Sequence, residues 1–292
     1  MLNSYYLPIL KNPCFYYLSL TKKLKMKKTF KLFSLFAIAA LAITSCTKDS
    51  GMSAAEEISD ATLTKIYNHG FGTSNVQKIE EGYLVEGDIV LTEEFLSSTA
   101  GGNFLRIANV EQYRTTQTVA GPRNITLALD SKLAAQAGYS AALTEVARRY
   151  NAENLSLTFS VVSSGANLTF VNSNGQYLAS AGFPTNGNPY NLVKVNSRAI
   201  GSGSSTTFVN YLATILAHEA GHCIGFRHTD YMDRSYSCGG GFANEGASTV
   251  GAVHIVGTPT TADPNSWMLA CIGSGTNRPF NANDKTALTT VY

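Results

Sequence analysis

Apolar residues recur with a helical period ahead of residue 218. Phe208, Tyr211, Leu212, Ile215 and Leu216 fall at i, i+3, i+4, i+7 and i+8, a stripe that faces a core. Ser204, Ser205 and Thr206 offer N-caps after a Gly-Ser loop, and Gly225 marks the stop, since glycine tolerates the left-handed exit of a helix. Upstream, residues 124–130 alternate and carry β-branched side chains, which predicts a strand. Residues 131–150 read as one helix with Leu133, Ala137, Leu143, Val146 and Ala147 inward. Residues 155–162 and 166–171 read as strands around a hairpin-like turn at Ser163-Ser164-Gly165, and 192–195 as a further short strand. Nearer the N-terminus, 55–67 has helical spacing through Ile58, Leu63 and Ile66. Residues 82–91 read as a strand interrupted by a turn. Strands and helices that alternate and then give way to one long helix predict an α+β fold, a twisted mixed sheet packed on that helix. No internal repeat is present. After residue 228 the chain becomes loop-rich, through Cys238-Gly239-Gly240-Gly241 and Gly257-Thr258-Pro259.

Composition sorts the 292 residues into parts. All seven basic residues of the first 45 positions precede any acidic one, the first being Asp49. Leaving out residues 1–45 turns the net charge of +2 into 15 basic against 20 acidic groups. An acidic remainder has no basic footprint for nucleic acid. Met26-Lys27-Lys28 opens a basic stretch, residues 32–43 are apolar, and Ile43-Thr44-Ser45-Cys46 follows. Small residues before a cysteine read as a bacterial lipoprotein signal over 26–45, cut before a lipidated Cys46. The apolar run is short for a membrane-spanning helix, which needs about 20 residues. Residues 1–25 then form an upstream extension, and 46–55 a tether. The expected location is exported and lipid-anchored to a bacterial membrane, outer membrane or cell surface, with release after processing as a further option.

The chemistry concentrates in residues 217–230, A-H-E-A-G-H-C-I-G-F-R-H-T-D, which hold three of the five histidines. His218 and His222, four apart on a helix, share one face. Gly225 turns the chain and brings His228 back. The pattern H-E-x-x-H-x-x-G-x-x-H gives three nitrogen ligands and one open position, the catalytic rather than the structural arrangement of zinc. Glu219 lies about 100° round the helix from His218, beside the metal and available to water, as a base rather than a ligand. One catalytic zinc ion is therefore the expected cofactor; the sequence is silent on calcium. Cys223 points off the ligand face and reads as a small buried hydrophobe. Asp230 either orients a ligand or sits in a solvated turn, and His69 and His254 read as structural or exposed.

These residues resemble the metzincin metalloendopeptidases. The run H-E-A-G-H-C-I-G-F-R-H-T-D-Y is similar to the bacterial dual-action HEIGH metallopeptidases, with Ala220 where that name implies Ile, and secondarily to the astacins. The resemblance spans residue 80 or so to the C-terminus. It implies a catalytic domain over 111–292 with a Met-turn at Ser266-Trp267-Met268 and a closing helix over 280–292 capped by Asn283 or Asp284. Astacins place a tyrosine two residues after that Met; here the position is Ala270, and Tyr231 is a guess at a substitute. On its own residues Asp88 is a turn residue of an edge strand. By resemblance, Val85-Glu86-Gly87-Asp88 matches the astacin F-x-G-D pro-segment motif with Val85 for Phe, which makes 56–110 pro-segment-like and Asp88 a latency ligand on the zinc. Of the cysteines left after Cys46, Cys238 with Cys271 is the favoured pair, stapling the loop to the Met-turn. The favoured function is a zinc-dependent endopeptidase acting on protein or peptide. The alternatives are a surface lipoprotein binding or adhesion module with a vestigial zinc site, and a zinc amidohydrolase on cell-wall substrate.

Overall fold

Helix α1 (Asp60–Asn68) begins inside the stretch that helical spacing marks out, because Ser59 caps it: its hydroxyl accepts from Thr62 N. The computed structural model describes residues 57–98, 112–240, 252–259 and 263–292. The expected signal, Cys46, the tether and the boundary at 110 lie outside the described residues. After α1 come β1 (Gln77–Ile79), β2 (Gly82–Val85) and β3 (Ile89–Leu91), an antiparallel meander with the expected turn at residues 86–88. Thr92 then caps α2 (Glu93–Ser97). Past β4 (Tyr113–Arg114) runs β5 (Arg123–Leu129), the strand read from alternation.

The single helix expected over 131–150 is two, α3 (Ser131–Ala134) and α4 (Tyr139–Asn151). Gly138 breaks them: its φ is 90°, and a Cβ there would lie 2.0 Å from Gly203 O. The hairpin expected at Ser163-Ser164-Gly165 is also absent. β6 (Leu157–Val161) and β7 (Leu168–Asn172) do not pair; each runs parallel to β5, on opposite sides. Leu127 faces Val161 on one side and Leu168 on the other, so the six linking residues need only step across β5. Next follow β8 (Ala179–Gly182), β9 (Leu192–Val195) and α5 (Ser197–Ile200). The long helix is α6 (Thr206–Ile224). Behind it lie β10 (Phe226–Arg227), α7 (Ser235–Cys238), β11 (Val253–His254) and α8 (Ala282–Val291).

The result is the expected α+β fold. Among the described residues, eight strands form one mixed sheet in the order β1-β2-β3-β8-β9-β7-β5-β6, and β10-β4-β11 a small second one. The main core joins α4, α6 and the sheet through Leu143, Val146, Phe159, Phe170, Leu212 and Leu216, all 4% exposed or less. Burying each such side chain contributes about 1.5–3 kcal/mol. A second core of Ile66, Phe71, Val85, Ile89, Phe95 and Phe183 seals the β2–β3 hairpin onto the region just beyond β8. α8 is capped by Asn281, two positions before the anticipated pair, while Asp284 completes a reciprocal capping box. Among the described residues no helix is long and apolar enough to cross a membrane.

Candidate metal centre

α6 starts where Ser205 Oγ accepts from Phe208 N, and every residue from Tyr211 to Ile224 is buried. Its last two turns carry His218, Glu219 and His222. Gly225 ends it at φ 118°, and a Cβ there would sit 2.9 Å from Gln117 O, so both backbone conformation and space demand glycine. β10 then pairs with β4, Phe226 opposite Arg114, and returns His228 toward the helix.

The three rings converge. Their centroids lie 4.7, 4.9 and 5.3 Å apart, and His218 Nε2 is 3.0 Å from His222 Nε2. Asp88 enters from the β2–β3 turn, its Oδ2 3.3 Å from His228 Nε2 and 3.8 Å from His218 Nε2. One ligand atom from each of the four residues falls within 4.8 Å of all the others. The backbone fixes the ring tautomers. His218 Nδ1 lies 2.8 Å from Trp267 O and His222 Nδ1 2.8 Å from Phe226 O, so each Nδ1 carries the proton and donates it. Both Nε2 atoms then present lone pairs to one another, in a place where burial, with His218 and His228 adding to it, pushes His222 well below the ordinary imidazole range. Facing lone pairs repel unless a cation sits among them. Tetrahedral zinc at about 2.0–2.1 Å from each nitrogen needs ligands about 3.3 Å apart, close to the spacings of this cluster. The residues present fit a metal ion, and three imidazoles with one carboxylate are donors that zinc accepts.

Glu219 stands beside the cluster, 3% exposed, and its Oε2 has no hydrogen-bond partner among the described residues. Burial first, and the Asp88 carboxylate second, push its carboxyl well up; His228 partly offsets them. For Asp88 burial pulls upward, but the imidazoles, His228 foremost, win and hold it below the usual carboxylate range. Asp88, His218 and Glu219 line a cavity of about 280 Å³ together with Tyr177, Ile215 and Arg278.

Met268 is fully buried beneath α6, with its Sδ 2.7 Å from where a Cβ on Gly221 would be. Gly221 is thus the residue that lets this floor approach the helix, a role that motif spacing alone does not reveal. The floor also binds: Trp267 O takes His218, and Met268 O accepts from Thr229 N just past His228. Asp230 is buried, so the solvated turn is ruled out. It meets no ligand ring; its carboxylate accepts from Ala270 N and Ser237 Oγ and ties the turn after His228 to the Met268 segment. Tyr231 packs edge-on against Tyr113 at 4.5 Å rather than lining the cavity. Cys238 and Cys271 are joined in a disulfide, and Cys223 is a buried thiol that burial pushes well up. His69 and His254 bond to Leu96 O and Thr258 Oγ1, away from the cluster.

Residues 83–292 match the family model described as the dual-action HEIGH metallo-peptidases, a span that takes in both Asp88 and the histidines of α6. No curated protein matches the chain. Among solved structures, one described as the structure of myroilysin is similar at 17% identity and a TM-score of 0.37, over 62% of this chain and 98% of that one. The GM1-bound form of the ECX AB5 holotoxin is similar at 17% identity and a TM-score of 0.30, over 49% and 69%.

Proposed function

The chain belongs to the dual-action HEIGH metallopeptidases, and from that premise we propose that it is a zinc-dependent endopeptidase of metzincin type with Glu219 as general base. The observation that carries this reading is the convergence of His218, His222 and His228 on one point, with the Glu219 carboxylate at the rim of the adjoining cavity. Zinc held there would supply Lewis acidity, acidifying a water molecule and polarising the scissile carbonyl. The chain's own residues do the rest. Glu219 takes the proton of the attacking water and passes it to the departing amine. Its carboxyl, pushed up by burial first and by Asp88 second, borders the cavity in which the attacking water would lie. Trp267 O and Phe226 O hold the two helix rings in the tautomer that keeps Nε2 free to bind. Met268 gives the cluster an apolar floor. The cavity accepts a side chain of the bound protein or peptide.

In the unprocessed chain Asp88 would hold the metal together with the three histidines and so keep the enzyme latent, as a zymogen. The Cys238–Cys271 bridge braces the loop beside the Met268 segment. Purified protein freed of latency is expected to cleave casein and a peptide library, to stop on addition of a chelator and to recover with zinc. Full metal loading without cleavage of any peptide would leave the binding module as the better reading, and release of peptidoglycan fragments would point to the amidohydrolase. We also propose export with a lipid on Cys46. Cys46→Ala is expected to move the protein from the membrane fraction to the soluble one; a variant that stays with the membrane would remove the anchor.

A further inference from the structure

The turn that carries Asp88 is gripped from behind by a buried ion pair. Glu86 and Gly87 both have left-handed backbones, φ 53° and 91°. Successive residues of this kind favour Asn-Gly or Asp-Gly, and glutamate is a poor choice for the first. The Glu86 side chain supplies the reason for its presence. Its two oxygens accept from Arg227 Nη2 at 2.8 and 3.1 Å, and Oε1 also accepts from Gly72 N at 3.2 Å. The pair is closed to solvent, at 0% for the Arg227 side chain and 1% for Glu86. Arg227 Nη1 donates to Gly70 O at 2.8 Å, and the guanidinium lies 4.2 Å from the Phe71 ring centroid and 5.4 Å from that of Tyr231. Position in the chain gives the pair its meaning. Glu86 is two residues before Asp88, and Arg227 is one residue before His228. A single charge pair therefore fixes both sides of the 3.3 Å approach between Asp88 and His228. Gly87 completes the grip: the Arg234 guanidinium lies 3.2 Å from where its Cβ would be, so that side of the turn is filled as well.

We propose that Glu86 and Arg227 are the positioning pair of the latch: they hold Asp88 in the metal cluster, and breaking them opens it without altering a ligand. This rests on the reading of Asp88 as a latency ligand. Charge-assisted hydrogen bonds are the strong kind, and removing one partner of a buried pair is strongly destabilising because it leaves the other charge uncompensated. The neutral Glu86→Gln keeps the shape and removes the charge, so the turn lets go while all three histidines, Glu219 and Asp88 remain.

The test uses the full chain as wild type, E86Q and D88A. In metal-free protein, amide hydrogen exchange across residues 82–91 is expected to be at least tenfold faster in E86Q than in wild type. With Co²⁺ as the only metal, the visible absorption band of E86Q is expected to shift to that of D88A. Wild-type exchange and a wild-type band in E86Q, beside a shifted band in D88A, would overturn the positioning role and leave the latch standing. A D88A band equal to that of wild type would reject the latch, and this proposal with it. If E86Q does not fold, Arg227→Gln, which removes the charge from the other side of the pair together with the Nη2 contacts to both Glu86 oxygens, is read against the same outcomes.

Discussion

Glu219→Gln is expected to lower kcat/KM for peptide hydrolysis by about 10²- to 10⁴-fold, the usual contribution of a positioned general base, while metal content stays that of the parent protein. The two readouts separate because Glu219 lies next to the cluster without belonging to it: the four converging ligand atoms come from Asp88, His218, His222 and His228. Glutamine fills the same volume, so α6 keeps its packing; what disappears is the capacity to hold a proton. The measurement is best made in an Asp88→Ala background, where latency does not mask the change. Loss of metal together with activity would make Glu219 a ligand. Undiminished hydrolysis would place the base elsewhere. Chelation is a different lesion, removing Lewis acidity and the restraint on three imidazoles together, so it should also lower thermal stability, which E219Q should not.

The parts of this arrangement legible in the sequence are the local ones. His218, Glu219 and His222 share one helix, so their spacing alone fixes their geometry, and Gly225 announces the turn that follows. The β2–β3 turn was visible for the same reason, being closed over a few residues. Where pairing is remote the pattern gives less. β6 and β7 look like a hairpin because a Ser-Ser-Gly link joins two apolar runs, yet each is satisfied by β5, about 30 to 40 residues upstream. β8 reads as no strand at all: Ala-Ser-Ala-Gly has neither β-branched nor aromatic residues, and the strand exists because β9 and β3 flank it with hydrogen-bonding edges. The break at Gly138 is dictated by Gly203 O, a contact 65 positions on. Asp230 looked like a turn residue because its partners, Ser237 and Ala270, become its neighbours only through folding. Arg227 carries no signal of its own inside the motif, because the partner that explains its charge, Glu86, is 141 residues away.

In the unprocessed chain, Asp88→Ala is expected to raise peptide hydrolysis about 100-fold, the gain that follows if latched molecules outnumber open ones by about 99 to 1. Two effects add in the same direction. The carboxylate oxygen that approaches His228 and His218 is removed, which frees a coordination position for water. The charge that pushes Glu219 upward, second only to burial, goes with it, so Glu219 gives up its proton more readily. Asp88→Asn separates the two, because a neutral amide removes the charge yet still occupies the space. Its activity should fall between wild type and D88A. The β2–β3 hairpin meets β8 edge to edge, Ile89 opposite Ala181 and Val90 opposite Gly182, so it can obstruct the cleft even when Asp88 is gone. If D88A is folded, carries metal and is as silent as wild type, the block is steric and lies in the hairpin. If wild type is already as active as D88A, no latch exists, and Asp88 is a structural neighbour of the cluster.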